Sequence, residues 1–205
     1  VSVASGLLPE SERNRRVALT SFSSLSERPV VPQREVECYE CGSRTQVPSA
    51  ALSAICSHCR AHLKMTDVEL RPGAQRLTVR TLGDVTVQSG AVLSGLSVTC
   101  RNCTLSGRGA GSYRCCGLLK VSSNNRIDGS VQAGRMLVER GADVILTQGA
   151  NVGELEVAGR LSGRIVARGT ITVRRGGELY GDCFAPSLVI EQGGAHRGVW
   201  HRAQS

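Results

Sequence analysis

Short alternations of apolar and polar residues recur from Leu77 to Trp200: Val85-x-Val87, Leu119-x-Val121, Leu155-x-Val157, Ile171-x-Val173 and Leu188-x-Ile190. Alternation of this kind turns one side of a short strand inward and the other outward. The units also keep a period. Val87, Val121, Val138 and Leu155 share a seventeen-residue grid, and Thr104 fills its one gap. Gly95, Gly129 and Gly163 lie two periods apart, and Cys116, Ala133, Ala150, Ala167 and Ala185 form a third column. After Gly163 the columns slip by one residue, to Val173, Gly181 and Ala185, and two of them resume at Ile190 and Gly198. Columns that share one insertion mark a stacked repeat.

Strands this short, broken by glycines and polar residues, predict three strands and three corners per period. No segment carries a sustained helical period. The expected fold is all-β: a parallel β-helix of about six to seven windings, stacked at a spacing of about 4.8 Å. The glycine column supplies positive φ or close approach at one corner, and the alanine column lies at another tight point. Composition fits a narrow core repeated along an axis, with aromatics at 3 % and 24 glycines.

Upstream the pattern changes. Residues 1–35 are rich in Ser, Arg, Glu and Pro without a period, and are expected to be a disordered tail. Residues 36–69 contain Cys38-x-x-Cys41 and Cys56-x-x-Cys59, with fourteen residues between the pairs. Each pair forms a knuckle whose amides can face the sulfurs, and four thiolates close a tetrahedral shell with no open position. The expected ligands of one structural Zn2+ are therefore Cys38, Cys41, Cys56 and Cys59, in a zinc ribbon too small to bury a sufficient core alone. His58 and His62 are alternative donors, but four cysteines suffice. Residues 70–201 are assigned to the β-helix, with Pro72-Gly73 at the junction, and 202–205 to a short C-terminal tail.

Cys100, Cys103, Cys115 and Cys116 fall in the repeat region. Cys100 follows Val98 at an inward spacing and Cys116 lies in the small-residue column, so the thiols read as small hydrophobes. A second metal site among these four remains open at this level.

The net charge is +8, and 23 of the 25 basic residues are Arg. The surplus sits on residues 70–201, with sixteen basic against nine acidic side chains. Such a surface suits weak contact with polyanions or an acidic membrane surface. Specific nucleic-acid recognition is not expected, because stacking rings are scarce. The ribbon is near neutral, which favours a protein partner. Val17-Ala18-Leu19, Phe22 and Leu25, behind Arg13, Arg15 and Arg16, leave contact between the tail and a membrane open. No run of eighteen apolar residues and no signal-peptide core is present, so the expected location is cytoplasmic, including the inner face of the cell membrane. Paired carboxylates, a nucleophile–base motif and a phosphate loop are missing, so neither catalysis nor a small-molecule substrate is expected. Left-handed β-helix enzymes that bind zinc use several His, whereas this repeat has only His196 before His201.

Three segments carry a family resemblance: Thr81-x-Gly83-Asp84-Val85-x-Val87, Leu155-x-Val157-x-Gly159-x-Leu161-x-Gly163-x-Ile165, and Gly181 to Ala195 with its Ala185-Pro186-Ser187-Leu188-Val189-Ile190 core. They resemble the bactofilins, bacterial polymer-forming cytoskeletal proteins, over residues 77–200. A ribbon ahead of the domain is similar to a subset of that family. The resemblance implies a right-handed β-helix and nucleotide-independent, nonpolar homopolymers built where β-helix ends meet. It also implies scaffolding roles. Leu77, Val79, Val199 and Trp200 are the candidate polymerisation residues at the two ends. The segment from Leu105 to Gly117 departs from the repeat, as if one winding were looped out. The alternative is a non-polymerising adaptor or regulator whose ribbon binds protein or nucleic acid.

Overall fold

The structure is a computed structural model that describes residues 31–75 and 78–203. Among these residues every regular element is a strand. Among the described residues no helix is long and apolar enough to cross a membrane.

Two antiparallel hairpins come first. Gln33–Glu37 pairs with Arg44–Pro48, and Ser53–Ile55 pairs with His62–Lys64. Each hairpin carries one cysteine pair in its turn. Their small core holds Val47, Leu63 and Met65 beside Cys38 and Cys56, with Leu82 of the following repeat packed against it.

From Val68 onward all pairing is parallel, and the chain winds into a β-solenoid with three faces. The first face stacks Thr78–Arg80, residues 97–99, 113–115, 131–133 and 150–152, then Ile165–Ala167, Cys183–Ala185 and Trp200–Arg202. The second stacks Val68–Leu70, Val85–Val87, Cys103–Leu105, residues 119–121, 136–138 and 155–157, then Thr170–Val173 and Ser187–Ile190. The third runs through Asn125–Ile127, Asp143–Leu146, Arg160–Ser162 and Glu178–Tyr180 to Ala195–Arg197. The first two faces therefore hold eight windings, against the six to seven expected. Val68–Leu70 accounts for the first, because it pairs with Val85–Val87 beyond the visible repeat. The Leu105–Gly117 region is not looped out: Arg108–Val121 is one continuous strand that bends around a corner, with local register shifts.

Side-chain columns follow from this register, and they differ from a strict seventeen-residue grid. One inward column on the second face runs Leu70, Val87, Leu105, Val121, Val138, Val157, Val173 and Ile190. Leu105 replaces the expected Thr104, and Val157 replaces Leu155. The step is eighteen residues from Val87 to Leu105, sixteen from Leu105 to Val121 and nineteen from Val138 to Val157. Strand spans keep their length while corners absorb the variation. The small column on the first face is Cys100, Cys115, Ala133, Val152, Ala167 and Ala185. Cys115, not Cys116, belongs to it, and Ala150 lies one inward position earlier, between Val131 and Ile165.

The glycine column holds in the later windings. A Cβ on Gly198 would lie 2.2 Å from the Gly181 carbonyl oxygen, and one on Gly181 would lie 2.5 Å from that of Gly163. Their φ values of 152°, 109° and 147° add a conformational reason for glycine. Earlier, Leu146 stands beneath Gly163, and Gly129 stacks on Gly111 instead. Gly95 has open space around its α-carbon.

Candidate functional site

The four ribbon cysteines converge. Cys38 follows the first strand of one hairpin and Cys56 the first strand of the other, while Cys41 and Cys59 close the respective turns. The two knuckles share one backbone pattern. The Gly42 amide donates to the Cys38 carbonyl at 2.9 Å, and the Arg60 amide donates to that of Cys56 at 3.1 Å. The residue after each pair is left-handed, Gly42 at φ 71° and Arg60 at φ 63°. The Glu40 amide faces the Cys38 sulfur at 3.4 Å. All four sulfurs lie within 4.8 Å of one another. Cys38–Cys59 and Cys41–Cys56 are separated by 3.7 and 3.8 Å. A tetrahedron with metal–sulfur bonds of about 2.3 Å has edges of about 3.8 Å, so these two edges already match those of a bound ion.

The electrostatics of the cluster point the same way. Cys56 is lowered to about 5 by the Cys59 amide first and then by the Ser43 hydroxyl. Cys59 is pushed up to about 12: the Ala61 amide draws it down, but burial and the Cys41, Cys56 and Cys38 sulfurs outweigh that pull. Cys41 is also lowered, by the Ser43 hydroxyl and amide, so within one cluster some thiols favour the thiolate while Cys59 holds its proton. A cation at the centre removes that conflict by stabilising all the thiolates together. Neither His58 nor His62 belongs to the convergent group.

The ribbon is attached to the side of the solenoid by several contacts. Leu82 donates its amide to the Lys64 carbonyl at 2.7 Å, Glu40 forms an ion pair with Arg80, and Arg80 also lies over the Tyr39 ring. Between residues 35–39 and the successive windings runs a groove of about 670 Å³, with Tyr39, Leu82, Arg101, Arg114, Val166 and Arg168 among its walls.

The two ends of the solenoid differ. At the first windings Leu70 and Val79 are buried, and Ala74 packs against the same core. Val79 thus points into the core, and Leu77 lies outside the described residues. In the last winding the inward columns end in Leu188 and Ile190 on the second face, His196 on the third, and Trp200 and Arg202 on the first. Trp200 folds back, its indole N–H donating to the Ala185 carbonyl at 3.1 Å, and keeps 40 % of its surface exposed. Val189 and Ile190 are each 46 % exposed and Val199 is 54 % exposed. Among the described residues, the outer edges of Ser187–Ile190, Ala195–Arg197 and Trp200–Arg202 have no paired strand. Ile190 and Leu188 carried no distinguishing signal in the sequence, because they continue core columns whose other members are buried.

Comparison of the chain with protein-family models, with curated proteins and with solved structures finds no match.

Proposed function

We propose that this chain is a scaffold subunit that assembles with copies of itself through the last winding of its β-solenoid. One observation carries the reading: core columns that are buried through the stack end at that winding in exposed Ile190 on one face and Trp200 on another, with His196 and Arg202 ending two further columns and, among the described residues, the strand edges unpaired. Open parallel edges are templates for further pairing. An aliphatic and aromatic centre with a polar surround has the composition of a protein interface. A second copy presenting the same end would cover both, as a two-fold contact does. Val199 and Trp200 belong to this surface.

The resemblance of residues 77–200 to the bactofilins supports the same conclusion and extends it to a nonpolar bacterial cytoskeletal filament that needs no nucleotide. In this reading the ribbon holds one structural zinc ion and recruits a protein partner, and the adjoining groove supplies a place for that partner. The protein works in the cytoplasm or on the inner face of the cell membrane. It has no catalytic role.

Electron microscopy of the purified full chain, without nucleotide and with or without a zinc chelator, tests the proposal. Filaments are expected in both conditions. Monodisperse monomers at high concentration would overturn the scaffold reading and leave the adaptor alternative.

A further inference from the structure

Three cysteines outside the ribbon meet inside the solenoid. Cys100 ends the strand Val92–Cys100, Cys103 begins the strand after a two-residue corner, and Cys115 lies in the next winding, paired directly with Cys100. Their residues are 3, 1 and 3 % exposed. The three sulfurs lie within 4.8 Å of one another, with Cys100 and Cys115 3.5 Å apart. Cys116 points the other way, exposed, its thiol 4.0 Å from the Arg101 carbonyl. The convergent set therefore has three members.

Packing accounts for two of them. Cys100 and Cys115 share a column with Ala133, Val152, Ala167 and Ala185, where small side chains are the rule. Cys103 is different. Its column runs Val85, Cys103, Leu119, Met136, Leu155, Ile171 and Leu188, and every other member is a larger aliphatic residue. A truncated side chain in such a column forfeits core contacts. What the thiol gains there is convergence on the other two sulfurs.

We propose that Cys100, Cys103 and Cys115 form a second metal site, a buried three-sulfur centre for a soft, thiophilic ion, with copper(I) as its chemical match. Thiolate donors select copper(I), zinc and iron–sulfur clusters. Structural zinc takes four protein ligands, and iron–sulfur clusters are held by four cysteines. Among the described residues no fourth His, Cys or carboxylate joins this group, and the surrounding core is apolar. Copper(I) is satisfied by three sulfur donors. Copper(I) displaces one thiol proton to solvent, its charge cancels that of the resulting thiolate, and the other two sulfurs coordinate as thiols, so no net charge is left in the dry core. Bound there, the ion ties one winding to the next.

The test uses the full chain loaded with zinc and dialysed anaerobically against copper(I) buffered by a weak chelator. Copper and zinc are then counted per chain for the wild type, Cys103→Leu and Cys103→Ser. Cys103→Leu restores the residue type of its column, and circular dichroism without copper reports the folding of both variants. The expected result is one more copper per chain in the wild type than in either folded variant, with equal zinc in all three. A copper-dependent rise in melting temperature is expected only for the wild type. Equal copper in wild type and variants would overturn the site. A second zinc in the wild type, with no added copper, would overturn the three-coordinate assignment.

Discussion

Ile190 stands directly over Val173 in parallel register, yet Val173 is wholly buried and Ile190 is 46 % exposed. The difference lies in position, since among the described residues Val173 has a winding on each side and Ile190 has one on a single side. An aspartate at Ile190 should therefore abolish assembly while changing stability little, within about 0.5 kcal/mol, as surface substitutions usually do. The matched control is Ile171→Ala, at a fully buried position one winding below, expected to cost about 2–5 kcal/mol. Sedimentation velocity and chemical denaturation of the two variants separate the effects. Filaments that persist in Ile190→Asp would place the contact elsewhere.

Metal removal should act on the ribbon and spare the solenoid. The ribbon core is small, with Val47, Leu63 and Met65 around two cysteines, whereas the solenoid has a continuous column structure of its own. Binding free energies of roughly 10–16 kcal/mol in zinc-finger peptides show how fully such modules depend on their ion. Hydrogen exchange after chelation is expected to show lost protection in residues 33–64 and retained protection in 119–185. Uniform loss across the chain would mean that the ribbon is a structural keystone.

Gly42 and Arg60 occupy equivalent knuckle positions with φ of 71° and 63°. Left-handed geometry costs a residue bearing a Cβ about 1–2 kcal/mol. Gly42→Ala should lower zinc affinity roughly tenfold. Arg60→Gly should raise it, by a smaller factor, because glycine also loses more backbone entropy on folding. Competition with a chromophoric chelator measures both, and a loss in Arg60→Gly would show that its side chain matters more than its backbone.

Asn125 is a buried polar residue that connects two windings. Its Oδ1 accepts from the Gly109 amide at 2.7 Å, and its Nδ2 donates to the Gly107 carbonyl at 3.1 Å and to the Ser123 hydroxyl at 2.8 Å. Asn125→Ala leaves the Gly109 amide without its acceptor, at roughly 1–3 kcal/mol for a donor left buried and unsatisfied, while the Gly107 carbonyl keeps the Ser123 hydroxyl at 2.7 Å. Urea denaturation should show that loss, and a neutral effect would mean that water replaces the side chain.

The amino-acid sequence by itself determined the all-β stacked architecture and the four ribbon cysteines. Both rest on short-range spacing: alternation within a strand, and two residues between the cysteines of each pair. It also determined the late glycine stack, because the Gly163, Gly181 and Gly198 corners keep nearly constant length. The inward columns were decided by tertiary structure. Windings vary between neighbours, so a fixed period points to Thr104 and Leu155 where Leu105 and Val157 stand. The same variation hides the thiol cluster: Cys115 lies fifteen residues after Cys100 and eighteen before Ala133, whereas a seventeen-residue grid counted back from Ala133 lands on Cys116. Alternation then sends one of two adjacent cysteines into the core and the other to the surface. Which one goes inward depends on a corner whose length only the folded chain reveals.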